Sequence, residues 1–96
     1  MTDFSANGLV TLASDFGTRD GYVGAMKGVI LSVDDRLRLC DIGHDVPAQS
    51  VIAASMMLRA ACPYFPRGTV HLGVIDPGVG TDRQEIVAVA GGHVFV

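Results

Sequence analysis

The sequence predicts an α/β domain with a largely parallel sheet flanked by helices and a β-hairpin at its C-terminal end. Three observations predict it. Short apolar runs rich in strand formers alternate with longer stretches of helical spacing, in the order strand–helix–strand–helix–strand, which parallel strands with right-handed crossovers satisfy. The polar, chemically useful residues gather in the segments that follow the strands. The last two apolar runs are separated by Gly91-Gly92 alone, a hairpin signal.

Residues 9–14 (LVTLAS) form the first strand, ending at Asp15-Phe16-Gly17. Residues 21–33 (GYVGAMKGVILSV) fit a helix, with Tyr22, Met26, Val29, Ile30 and Val33 at helical spacing and Asp20 placed to cap the first turn. Asp34-Asp35 breaks the pattern, and residues 37–42 (LRLCDI) read as a second strand, followed by a polar loop from Gly43 to Pro47. Residues 48–62 (AQSVIAASMMLRAAC) form a helix that is apolar nearly all round, with Arg59 its only charge, and such a helix is expected to be buried on more than one side. Pro66-Arg67-Gly68 turns the chain into a third strand, residues 69–75 (TVHLGVI), which ends at Asp76 and a Gly-rich loop. Residues 85–90 and 93–96 then read as two further strands; the loop before the first is too short for a crossover, so it should run antiparallel.

Composition narrows the function classes. A chain of 96 residues is one domain at most, burying roughly 60–70% of the surface its unfolded form exposes. It is 49% hydrophobic and only 18% charged, lean in charge for a free-standing domain, which points to partner-covered surface or membership of a longer chain. The chain also stops inside an apolar strand. It is therefore expected to be the N-terminal part of a longer protein. A net charge of −3, with Lys27 and six scattered arginines, argues against an electrostatic hold on nucleic acid. No run approaches the ~18 apolar residues of a membrane span, and the acidic, polar start lacks the features of a signal peptide. Cys40 and Cys62 sit in apolar segments without a C-x-x-C, as reduced core thiols of a cytoplasmic protein would.

In an open α/β sheet ligands bind beyond the carboxyl ends of the strands, and three polar clusters fall there: 15–20, 41–45 and 76–83. Each also has a plain structural reading. Asp15 and Asp20 could be a turn former and a helix cap; Asp41, His44 and Asp45 could satisfy loop amides; Gly78 and Gly80 could make a turn. Three such clusters at one end of one sheet favour a site. Neither Asp15-Phe16-Gly17 nor Gly78-Val79-Gly80 fits a nucleotide motif: no kinase catalytic loop precedes the first, and the second lacks the G-K-[ST] of a P-loop. Asp41, His44 and Asp45 suggest a metal only weakly, with no second histidine at helical spacing, so no metal is expected. His71 reads as a half-buried strand histidine, and His93 as a hairpin residue.

Four segments occur together in the order and spacing of one family: residues 15–28 (DFGTRDGYVGAMKG), 41–46 (DIGHDV), 64–71 (YFPRGTVH) and 76–83 (DPGVGTDR). From Leu9 onward the chain resembles the S-adenosylmethionine hydroxide adenosyltransferases, or S-adenosylmethionine hydrolases, relatives of the fluorinating and chlorinating enzymes. The resemblance implies cleavage of S-adenosylmethionine into adenosine and L-methionine by attack of water or hydroxide on ribose C5′, with no cofactor beyond the substrate. It implies that Asp15 binds the ribose diol, that Asp20 faces the methionine end, and that Asp76 and Arg83 belong to an Asp–Arg–His set that orients the water. The histidine of that set would lie beyond residue 96. The resemblance further implies that residues 1–96 are part of an N-terminal S-adenosylmethionine-binding domain, that a C-terminal β domain follows, and that the full-length protein is a homotrimer. The halogenating relatives carry other residues at the Asp76 position, a tyrosine in the fluorinating enzyme, and a tryptophan near Gln49; the departure at both points favours water over halide. The alternatives are a fragment that binds adenosine or S-adenosylmethionine without turnover, or an oligomerisation module built on the apolar helix.

Overall fold

The computed structural model describes residues 5–47, 50–75, 88–90 and 93–95. Its elements are β1 (Leu9–Ser14), α1 (Tyr22–Val33), β2 (Arg38–Gly43), α2 (Val51–Ala61) with a 3₁₀ turn (Cys62–Tyr64), β3 (Val70–Val74), β4 (Ala88–Ala90) and β5 (His93–Phe95). The strands form one sheet in the order β2-β1-β3-β5-β4. β1 pairs in parallel with β2 and with β3, and β5 lies parallel to β3. β4 runs antiparallel beside β5. The expected hairpin turn, Gly91-Gly92, lies outside the described residues, as do residues 85–87 and Val96 of the expected strands.

β1 lies between β2 and β3 in the described sheet. Flanked on both edges, it buries Thr11, Leu12, Ala13 and Ser14 completely. The buried polar side chains among these find partners on, or just beyond, the neighbouring strands, as buried polar groups must. Thr11 Oγ1 lies 2.7 Å from His71 Nδ1 on β3, and the His71 ring meets Phe65 edge-on at 5.7 Å between centroids. His71 is therefore a fully buried histidine and not the half-buried one its strand position suggested. The β1–β2 register slips by one residue between Leu12↔Asp41 and Ala13↔Gly43, leaving Ile42 as the extra residue of a bulge. Beyond the bulge the side-chain alternation is reset, and a Cβ on Gly43 would meet Met57 Sδ of α2 at 2.9 Å.

The helices differ from expectation in four respects. α1 begins at Tyr22 with Gly21 as its N-cap and no side-chain cap, so Asp20 does not cap it. Its inward face is made by Val23, Met26, Lys27 and Ile30, all half-buried, whereas Tyr22, Val29 and Val33 are exposed at 65%, 68% and 84%. Apolar residues cover more than half of this helix's circumference, so spacing alone does not select the face that meets the sheet. α2 starts at Val51, later than expected, because the Ser50 side chain accepts the Ala53 N–H at 3.1 Å and caps it. Of its residues Ala54 is buried, and Val51, Ile52 and Met56 are exposed; among the described residues α2 buries one side, not several. Among the described residues no helix is long and apolar enough to cross a membrane. Cys40 is half-buried and Cys62 buried, both free, and burial pushes the Cys62 thiol pKa up.

Candidate functional site

The site begins with strand order. From β1 the chain crosses to β2 on one edge, then returns past β1 to β3 on the other. The carboxyl end of β1 is thus a topological switch point, where the loops diverge and leave a crevice. Ser14, the last residue of β1, is in register with Val74, the last of β3. Asp15 and Ile75 accordingly leave the sheet from adjacent positions.

The loop after β1 is held by the loop after β2. Gly17, at φ +74°, donates its N–H to the His44 carbonyl at 2.7 Å. That φ lies in the left-handed region glycine occupies at little steric cost. The Phe16 N–H reaches back to Ser14 Oγ at 3.3 Å, and the Phe16 ring lies 6.3 Å from that of Tyr22. A Cβ on Gly17 would lie 4.0 Å from Asp45 Oδ1, which shows how closely the two loops approach.

Below this contact runs a line of four side chains. Ser14 Oγ is 2.6 Å from His44 Nδ1; His44 Nε2 is 2.8 Å from Asp41 Oδ1; and Lys27 Nζ donates to Asp41 Oδ2 at 2.7 Å. Ser14 and His44 are buried, and Lys27 and Asp41 are partly open to solvent. Hydrogen bonds from His44, and then from Lys27, hold the Asp41 carboxyl below its ordinary pKa. An ionised Asp41 only accepts, so His44 Nε2–H donates to it. When the ring is neutral, with its proton on Nε2, Nδ1 is an acceptor, and the Ser14 hydroxyl donates to it while its oxygen accepts the Phe16 N–H. Every bond then has a consistent direction. The residue types are those of a hydrolytic Ser–His–Asp triad, but Ser14 is completely buried and cannot attack a substrate.

Of the residues singled out by sequence, Asp15 is half-buried at the end of β1 and Asp20 is exposed just before α1. Both lie in the β1–α1 segment, and the structure joins that segment to the 41–45 cluster through His44. Asp76 and Arg83, with the rest of the 76–83 cluster, lie outside the described residues, as does Gln49. Among the described residues no group of three or more metal-ligating side chains gathers. His44, which had suggested a metal weakly, engages both ring nitrogens with protein groups. Sequence reasoning missed Ser14 and Lys27. Ser14 is 30 residues from its histidine, and nothing local marks a strand-end serine as a partner.

The family described as SAM hydroxide adenosyltransferase N-terminal domain matches residues 10–96. A curated relative from Methanocaldococcus jannaschii, (R)-S-adenosyl-L-methionine hydrolase, is 43% identical over 83 residues, covering 82% of this chain and 31% of the relative. A fluorinase from Actinoplanes is 27% identical over 82 residues, covering 85% of this chain and 28% of the relative. The crystal structure of a conserved hypothetical protein from Thermus thermophilus superposes with a TM-score of 0.79 at 40% identity, covering 90% of this chain and 36% of that one. The chain thus spans about a third of the length of the curated relatives it matches.

Proposed function

The chain belongs to the SAM hydroxide adenosyltransferase N-terminal domain family, and from that premise we propose that the whole protein hydrolyses S-adenosylmethionine to adenosine and L-methionine. Water attacks ribose C5′ in line, the C5′–O bond forms as the C5′–S bond breaks, and the sulfonium sulfur leaves as the neutral thioether of methionine. The water gives up its proton to solvent. Because the leaving group already carries a positive charge, positioning and partial desolvation of the nucleophile supply most of the rate.

Asp15 takes the two ribose hydroxyls as charge-assisted hydrogen bonds, and Asp20 meets the amino group at the methionine end. Asp76, braced by the Arg83 guanidinium, accepts a hydrogen bond from the attacking water and aims its lone pair at C5′. The observation that carries this reading is the Ser14↔Val74 register, which brings the carboxyl ends of β1 and β3 together at the switch point. It supports a site shared between Asp15 and residues that follow β3. Water is favoured over halide by the aspartate at position 76 and by the higher identity to the hydrolase than to the fluorinase. No metal or organic cofactor takes part in the step. The protein acts in the cytoplasm as a homotrimer.

The test is product analysis with the whole protein and two variants. Wild type releases adenosine and methionine in equal amounts. Asp76→Ala lowers kcat by about 10²–10⁴ and leaves substrate binding within a few-fold. Asp15→Ala weakens adenosine binding by about 2–4 kcal/mol. Absence of methionine release by wild type overturns the reaction. Retention of kcat by Asp76→Ala, with only a lower Tm, reduces Asp76 to a structural role.

A further inference from the structure

The line Lys27–Asp41–His44–Ser14 connects α1, the end of β2 and the end of β1, and terminates on the peptide that follows Asp15. We propose that this line fixes the ligand-binding loop, with His44 as its positioning residue: it sets where the Asp15 carboxylate stands without touching the ligand. The proposal rests on the reading of Asp15 as the ribose-binding residue.

Two contacts on either side of Asp15 come from one residue. His44 holds Ser14, directly before Asp15, through its ring, and Gly17, two residues after, through its carbonyl. Ser14 Oγ in turn accepts the N–H of Phe16, the residue directly after. Asp15 is thereby bracketed by groups tied to a histidine that is 4% exposed. A ring carrying only a packing role needs no such chain of donors. Here each nitrogen is engaged, and Asp41 fixes the tautomer that lets Nδ1 accept the Ser14 hydroxyl. Burial of His44 and Ser14 keeps water from competing for these bonds. Removal of the ring leaves the Ser14 hydroxyl without its ring partner and loosens the Asp15–Phe16 peptide, and an error of about 1 Å in a binding group can cost about a hundredfold in rate or affinity.

The test compares Ser14→Ala, His44→Ala and His44→Asn in the whole protein, at a temperature where all three are folded. Asn can present an oxygen near the Nδ1 position but does not reach Asp41. Amide exchange is read first, because it needs no ligand. The Phe16 and Gly17 amides should exchange about tenfold or more faster in Ser14→Ala and His44→Ala, with the Phe16 amide largely restored in His44→Asn. Steady-state kinetics and adenosine titration are read second. KM and the adenosine Kd should rise about tenfold or more in the two Ala variants, kcat should stay within a few-fold, and His44→Asn should recover most of the affinity. Unchanged exchange at Phe16 and Gly17 overturns the brace. Faster exchange with unchanged adenosine Kd leaves His44 a structural residue and overturns its positioning role. If wild type itself binds no adenosine, the reading of Asp15 fails, and the exchange data still decide whether the brace exists.

Discussion

At the scale of single residues, Asp41 shows how one carboxylate joins two elements. It receives His44 from its own strand's exit and Lys27 from α1, and both hydrogen bonds favour the ionised form. Its pKa in the folded chain is below the unfolded value of about 3.9. In the window between the two, the unfolded chain binds more protons, so stability is present above the unfolded pKa and is lost as pH falls through the folded one. Its side chain is 41% exposed, and solvent screening limits the contribution to under about 1 kcal/mol. The expected outcome is that Asp41→Asn lowers Tm at neutral pH and flattens the fall in Tm that wild type shows below about pH 4. Parallel acid limbs for the two proteins, followed by circular dichroism, would remove Asp41 from the balance. Asp34, held low by Arg36 at the surface, titrates in both proteins and cancels in the comparison.

At the scale of elements, two glycines of different kinds separate a backbone requirement from a packing one. Gly68 has φ +90° as the third residue of the turn from Pro66 to Thr69, whose N–H bonds the Pro66 carbonyl at 3.3 Å. A positive φ at that position is what a type II turn requires. A Cβ there would also lie 2.5 Å from the Ser5 carbonyl oxygen and 3.2 Å from the Asn7 nitrogen, in a segment tied to the turn by Asn7 N–H to the Gly68 carbonyl. Gly43 instead faces Met57 Sδ at 2.9 Å, the far part of a flexible side chain that can swing aside. Gly68→Ala should therefore cost about 1–3 kcal/mol or more, and Gly43→Ala less than that, to the extent that Met57 swings aside. Chemical denaturation checks the order; equal losses would mean that the turn relaxes and the φ is not enforced.

At the scale of the whole molecule, both helices turn apolar side chains outward. Tyr22, Val29 and Val33 share one face of α1, and Val51, Ile52 and Met56 line one side of α2. Such surface promotes association. Val33→Lys and Ile52→Lys, at positions 84% and 76% exposed, should change the stability of the 96-residue chain by less than about 0.5 kcal/mol while reducing the concentration dependence of its sedimentation. A large loss of stability on either change would show that the position is buried in the folded chain. The low charge fraction read from composition has its structural counterpart in these two faces.

The sequence by itself determined the elements and their order. Strand runs such as 9–14 and helix runs such as 22–33 are local patterns, set by side-chain chemistry within a few residues, and Asp15 is legible at the end of the first strand for the same reason. Its family is also legible, because four segments in fixed order carry it. Tertiary structure alone decided which face of α1 meets the sheet, because apolar residues cover too much of that helix for its period to choose. It alone decided that Asp20 is exposed and does not cap α1. It alone joined Ser14 to His44, 30 residues away, because a pairing between two strand ends depends on strand order and on the one-residue bulge at Ile42. A bond between distant residues is a property of register, and register is fixed only when β2 and β3 have paired with β1.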